Sequence, residues 1–145
     1  MKLSLLRAVT AATLILALAS SISLSAVEGW DPASFGKQDT LQFLTVGPQD
    51  GEHWSTVWVV VIDGNPYIRL GSRAAGRIEQ NTTAPYVKIK IADQQFDKVK
   101  VEPAPEMADK VAAAMAQKYW FDMLVHYMNH PLTARLTAEA PKASH

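Results

Sequence analysis

The residues best suited to chemistry lie in one basic run, Arg69-Leu70-Gly71-Ser72-Arg73-Ala74-Ala75-Gly76-Arg77. Three guanidinium groups and a hydroxyl, set among glycines that let backbone N–H groups approach, match the charge and geometry of a phosphate. The predicted anion contacts are Arg69, Ser72, Arg73 and Arg77, presented on a connector between a strand and the next element. Other constellations are poorer. His126 and His130 are four apart, but Pro131 adjoins the second, no glutamate lies between them and no third ligand is evident, so they read as a packed and a helix-end histidine, with no metal site. Ser55 and Ser72 have no sequence-evident base, and no nucleophile elbow, Walker loop or dinucleotide fingerprint is present. Trp54, Trp58, Tyr119, Trp120 and Phe121 either line a pocket for a ring-shaped ligand or fill a small barrel.

These residues belong to a chain of 145, with 14 Lys+Arg, 14 Asp+Glu and no cysteine. A formal charge of zero gives no bulk attraction to nucleic acid or an anionic membrane. Without cysteine there is no disulfide, thiolate catalysis or cysteine-held metal. Residues 1–26 read as a secretory signal peptide: Lys2 and Arg7 precede an apolar run from Ala8 to Ala19, and small residues up to Ala26 follow. The expected cut near 25 or 26 leaves one domain, 27–145, with 12 basic and 14 acidic side chains, in the periplasm or outside the cell and free of the membrane. Asn81-Thr82-Thr83 is a glycosylation sequon if the secretory pathway is eukaryotic.

The elements that must position the basic run are mostly strands. Asp31-Pro32 opens a short helix that Gly36 interrupts, Thr40–Leu44 is ambiguous, and Pro48–Gly51 is a turn. Thr56–Ile62 is β-branched and aromatic on both alternating faces, turns at Asp63-Gly64-Asn65-Pro66 and returns through Tyr67–Leu70, which predicts a hairpin whose first strand is buried on two sides. A second hairpin is expected at Tyr86–Ile91 and Phe96–Val101. Its Lys88, Lys90, Lys98 and Lys100 read as a solvated edge that discourages aggregation, with an anion patch as the alternative. Two registers fit: one sets lysine opposite lysine, and the other, slid by two residues, sets Lys88 opposite Glu102. Pro103-Ala104-Pro105 starts a helix expected to run from Met107 to about Met128, and Leu132–Ala140 reads as a final strand before a frayed tail.

This order, together with Trp54–Arg69, Arg73–Arg77, Ala84–Ile91 and His130–Leu136, resembles the split β-barrel of the pyridoxamine 5′-phosphate oxidase-like flavin-binding proteins. The resemblance implies an α+β, mainly β fold: a split barrel of about six antiparallel strands with a long helix near the C-terminus. It further implies FMN as cofactor, with Arg69, Ser72, Arg73 and Arg77 on the phosphate and Trp58 and Tyr67 near the ring. Oxidoreductase-type chemistry on a small molecule and a homodimer follow as expectations. The competing expectation is a non-enzymatic exported binding module that kept the barrel and lost the flavin.

Overall fold

The computed structural model describes residues 27–119 and 130–140. Helix α1 is Pro32–Phe35, and the strands are β1 Thr40–Gly47, β2 Gly51–Ile62, β3 Asn65–Leu70, β4 Tyr86–Ile91, β5 Gln94–Pro103 and β6 Leu132–Ala138. Helix α2 is Ser72–Glu79 and α3 is Ala108–Lys118, preceded by a 3-10 turn at Pro105–Met107. The strands close a barrel in the order β1-β2-β3-β6-β5-β4, every pair antiparallel. This is the mainly β architecture expected. The expected signal peptide, residues 1–26, and the expected frayed tail, residues 141–145, lie outside the described residues.

Alternation along the strands sorts side chains inside and out. Leu41, Phe43, Val59, Ile68, Leu70, Ile89, Ile91, Val99 and Leu136 fill the interior, leaving it a packed core. One end is plugged by Trp30, Phe35 and Phe96, whose rings meet edge to face at 5.0–5.9 Å. The outer face of β2 and β3 carries a second cluster, Val60 and Tyr67 under Val111, Met115 and Tyr119 of the α3 region. This explains why the Thr56–Ile62 run is apolar on both faces: alternate residues serve the barrel and the helix.

Four expectations need correction. The basic connector is helical from Ser72, because Ala74, Ala75 and Ile78 recur at helical spacing and pack on the barrel end. The C-terminal helix is shorter than expected: Tyr119 leaves the helical region (φ −116, ψ 105), and residues 120–129 lie outside the described residues. Neither proposed register of the second hairpin occurs. Ile89 faces Phe96 and Val87 faces Val99, with a bulge between them that leaves no lysine directly opposite another. Finally, β4 is paired on both sides and β5 likewise, so the lysines guard no edge. Lys98 instead pairs with Glu139 at 3.7 Å, Lys100 with Glu102 at 3.3 Å, and Lys90 lies 4.1 Å from the centre of the Trp54 ring.

Candidate functional site

Strand β2 changes partners midway. Gly51–Trp58 pairs with β1, whereas Val59–Ile62 pairs with β3. On the outer face this sets Trp58 one step beyond the Val59–Ile68 pair, beside Arg69, which pairs across to Thr133 on β6. The next outer row is Val60, Tyr67, Arg135 and Glu102.

Arg69 is half-buried, and its Nη1 is buried without a hydrogen-bond partner among the described residues. A guanidinium N–H withdrawn from water and unpaired costs about 1–3 kcal/mol, so the arrangement favours an acceptor at that atom. Two residues on, Gly71 caps α2 in extended backbone (φ −69, ψ 171) with no side-chain cap. The first-turn N–H groups of an eight-residue helix thus stand open, and its dipole favours an anion there. Ser72 and Arg73 are exposed at that end, and Arg77 follows Arg73 by four residues on the same helix face, half-buried.

The chain therefore gathers Arg69, Ser72 and Arg73 at the β3–α2 corner, with Arg77 one turn further along. Gly76 takes no part in a close backbone approach: a Cβ there would meet nothing within 4 Å. The cradle is built from a helix start and guanidinium groups, with little contribution from glycine.

The aromatic residues are placed differently from one another. Tyr67 is 2% exposed, and its hydroxyl accepts a hydrogen bond from Arg135 Nε at 3.1 Å, with that guanidinium 5.5 Å from the ring centre. Trp58 stacks on Tyr119, centroids 4.4 Å apart and planes 13° from parallel. Trp58 thus adjoins Arg69 with one indole face committed, while Tyr67 lies beneath the surface.

A feature that sequence reasoning missed holds this wall together. Where β1 stops, the Val59 backbone on that side is met by side chains. Its N–H donates to Tyr119 Oη at 3.3 Å. Its carbonyl accepts from Tyr119 Oη at 2.8 Å and from Lys118 Nζ at 2.7 Å. Asp39 O lies 2.5 Å from the same hydroxyl, whose single proton serves one of these two carbonyls at a time, and Lys118 also donates to Gln38 O. Lys118 and Tyr119 act as a wedge in the split between β1 and β2, completing a ladder the strands leave open. The contacts span 59 to 80 residues, so no local pattern signals them.

Burial raises the Tyr119 pKa to about 12, partly offset by the Val59 hydrogen bond. The native state therefore holds this proton more tightly than the unfolded chain, and the stabilisation is complete below pH 10 and lost as pH climbs through about 12. Burial lowers the Lys118 pKa, which contributes in the opposite sense: its stabilisation is present above pH 10.5 and declines as pH falls. A phenolate absorbance titration will show a tyrosine that ionises near pH 12 and is absent in Tyr119→Phe. Ionisation of every tyrosine near pH 10 would contradict the wedge.

Cavities occur elsewhere on the barrel. One of about 540 Å³ is lined by Val27, Glu28, Phe96, Asp97, Lys98 and Glu139, away from the arginine corner. The corner is better judged by its chemistry than by volume, since a phosphate is held at a surface by donors. His130 is described; His126, Trp120 and Phe121 lie outside the described residues.

No family model and no curated sequence matches this chain. Solved structures do. HutZ, the heme storage protein from Vibrio cholerae, aligns at TM-score 0.53 with 20% identity, covering 75% of this chain and 88% of its own. A conserved hypothetical protein from Mycobacterium tuberculosis aligns at 0.55 with 20% identity, covering 75% and 78%. A protein of unknown function from Agrobacterium tumefaciens aligns at 0.57 with 15% identity, covering 76% of this chain and 51% of that one. The present chain thus spans about half the length of the Agrobacterium protein. At these identities the likeness establishes the fold.

Proposed function

We propose that this chain, which has the split β-barrel fold of the pyridoxamine 5′-phosphate oxidase-like superfamily, is an exported protein that binds FMN on the outside of its barrel for oxidoreductase-type chemistry on a small molecule. The observation that carries this reading is the buried Nη1 of Arg69, without a hydrogen-bond partner among the described residues, on a residue two positions before the uncapped start of α2. Arg69, Ser72 and Arg73 would hold the phosphate, with Arg77 supporting from the same helix face. Trp58 offers one indole face to a ring, and Tyr67 supports that wall from below. When bound, FMN supplies hydride or electron transfer; the chain supplies orientation and electrostatics. Arg69 fixes an anion through a charge-assisted bond, and the Trp58–Tyr119 stack presents a flat, apolar surface next to it.

The test is a comparison of FMN with riboflavin, which lacks the phosphate, by quenching of flavin fluorescence in the secreted protein. FMN is expected to bind the more tightly. Arg69→Met should weaken FMN by about 10- to 100-fold and leave riboflavin unchanged, as expected for losing a hydrogen bond to a charged group. Absence of FMN binding, or equal affinity for both flavins, would eliminate the proposal.

A second reading, a non-enzymatic exported binding module, draws on the commitment of Tyr67 to Arg135 and of one Trp58 face to Tyr119, which reduces the ring surface to a single indole face. On this reading the ligand is another planar anion; heme, which HutZ stores, has suitable carboxylates. Hemin binding without redox turnover favours this module, whereas turnover that depends on Arg73 or Arg77 favours the enzyme. We propose that two copies form a homodimer sharing either ligand, checked by sedimentation of the secreted form.

A further inference from the structure

Lys118 has a role that bracing β1 and β2 does not exhaust. Its ammonium carries three N–H donors, of which two go to neutral carbonyls, Gln38 O and Val59 O. Neither of the ion pairs formed among the described residues includes it. The acid that acts on it through space is Asp39, which is exposed. Lys118 lines an open hollow of about 310 Å³ together with Gly36, Val60, Val61, Ala114 and Gln117.

The position is informative. Lys118 reaches Val59 from the side where β1 ends, whereas Arg69 flanks Trp58 from β3. The Trp58–Tyr119 stack therefore stands between two cationic groups, each half-buried and neither engaged by a carboxylate in the described ion pairs. We infer that the Lys118 hollow is a second anion subsite, which takes the carboxylate or phosphate of a small organic substrate whose body lies along Val60, Val61 and Ala114. The Gln117 amide supplies a further polar group on the cavity wall. Burial disfavours the charged ammonium, with Asp39 offsetting part of that cost, so a ligand anion supplies stabilisation that the fold leaves incomplete. Only the word substrate rests on the flavin reading; anion binding stands without it.

The probes are benzoate and inorganic phosphate, titrated separately into the secreted protein in low-salt buffer and followed by NMR shifts around Lys118. Saturable binding of at least one probe is expected. Lys118→Met should weaken it about tenfold or more through loss of the charge. Ala114→Leu should do the same by filling the cavity while the two Lys118 carbonyl bonds remain, and it decides the matter alone if Lys118→Met fails to fold. Arg69→Met should leave the shifts that either probe induces around Lys118 unchanged while weakening FMN and any phosphate binding at the β3–α2 corner. No saturable shift around Lys118 in the natural protein, or one that survives Ala114→Leu, would overturn the inference. FMN binding without probe binding removes the subsite and keeps the flavin reading; probe binding without FMN does the reverse.

Discussion

Phe43→Ala is expected to lower the unfolding free energy by about 3–5 kcal/mol, the range for deleting a buried phenylalanine. Phe43 is fully buried at the middle of β1, whose neighbours in register are Ser55 on β2 and Ile89 on β4. The barrel is closed by hydrogen bonds on every side, so the walls cannot readily move in to fill the void, which places the cost toward the upper part of that range. Against a total stability of roughly 5–15 kcal/mol, the variant stands near the threshold of folding. Urea unfolding should show a large fall in midpoint with an unchanged slope. A loss under about 1 kcal/mol would mean that the interior is not packed as described.

Asn81→Ala comes next, at about 2–3 kcal/mol, from buried polar groups left without partners. Asn81 is 6% exposed and organises the loop into β4. Its Oδ1 accepts from Val46 N at 3.0 Å, Thr83 N at 3.3 Å and Thr83 Oγ1 at 3.0 Å, while Nδ2 donates to Tyr86 O at 2.8 Å. Asn81→Asp should be costly too, because the donor to Tyr86 O is lost. These bonds also change the meaning of the sequon: a glycan on Nδ2 would have to displace the Tyr86 bond and occupy packed space. Protein secreted from a eukaryotic host should be folded only when unmodified at Asn81, which intact mass and thermal melting can check together. A glycosylated form with the same melting temperature would contradict this.

These two residues also mark where sequence reading succeeds and fails. The hairpin of β2 and β3 was legible because Val57–Ile62 is β-branched on both faces and Asp63-Gly64 turns with positive φ at both residues. Strand β1 was ambiguous because its alternation is broken: Leu44 on the outer side is 4% exposed, in register between Trp54 and Lys88, so apolar residues occur on both faces. Asn81 reads locally as a sequon, and only the fold brings Val46, 35 residues away, to its oxygen.

The candidate site divides in the same way. Guanidinium groups and a hydroxyl announce an anion in one dimension, so Arg69, Ser72, Arg73 and Arg77 could be named. The helical state of Ser72–Glu79 depends on Ala74, Ala75 and Ile78 meeting the barrel end, a tertiary contact that overrides the loop preference of Gly71 and Gly76. Lys118 and Tyr119 were invisible as a wedge because their partners, Gln38, Asp39 and Val59, become neighbours only when β1 and β2 splay.

The central claim is that Arg69 and the start of α2 hold a phosphate. A ³¹P NMR spectrum of FMN added to the purified protein reads this contact at the phosphate itself. The expected result is a shifted, broadened phosphate resonance that returns to the free position in Arg69→Met, with the variant's fold intact by circular dichroism. A phosphate signal indistinguishable from free FMN in the natural protein, or one equally shifted in Arg69→Met, would contradict it.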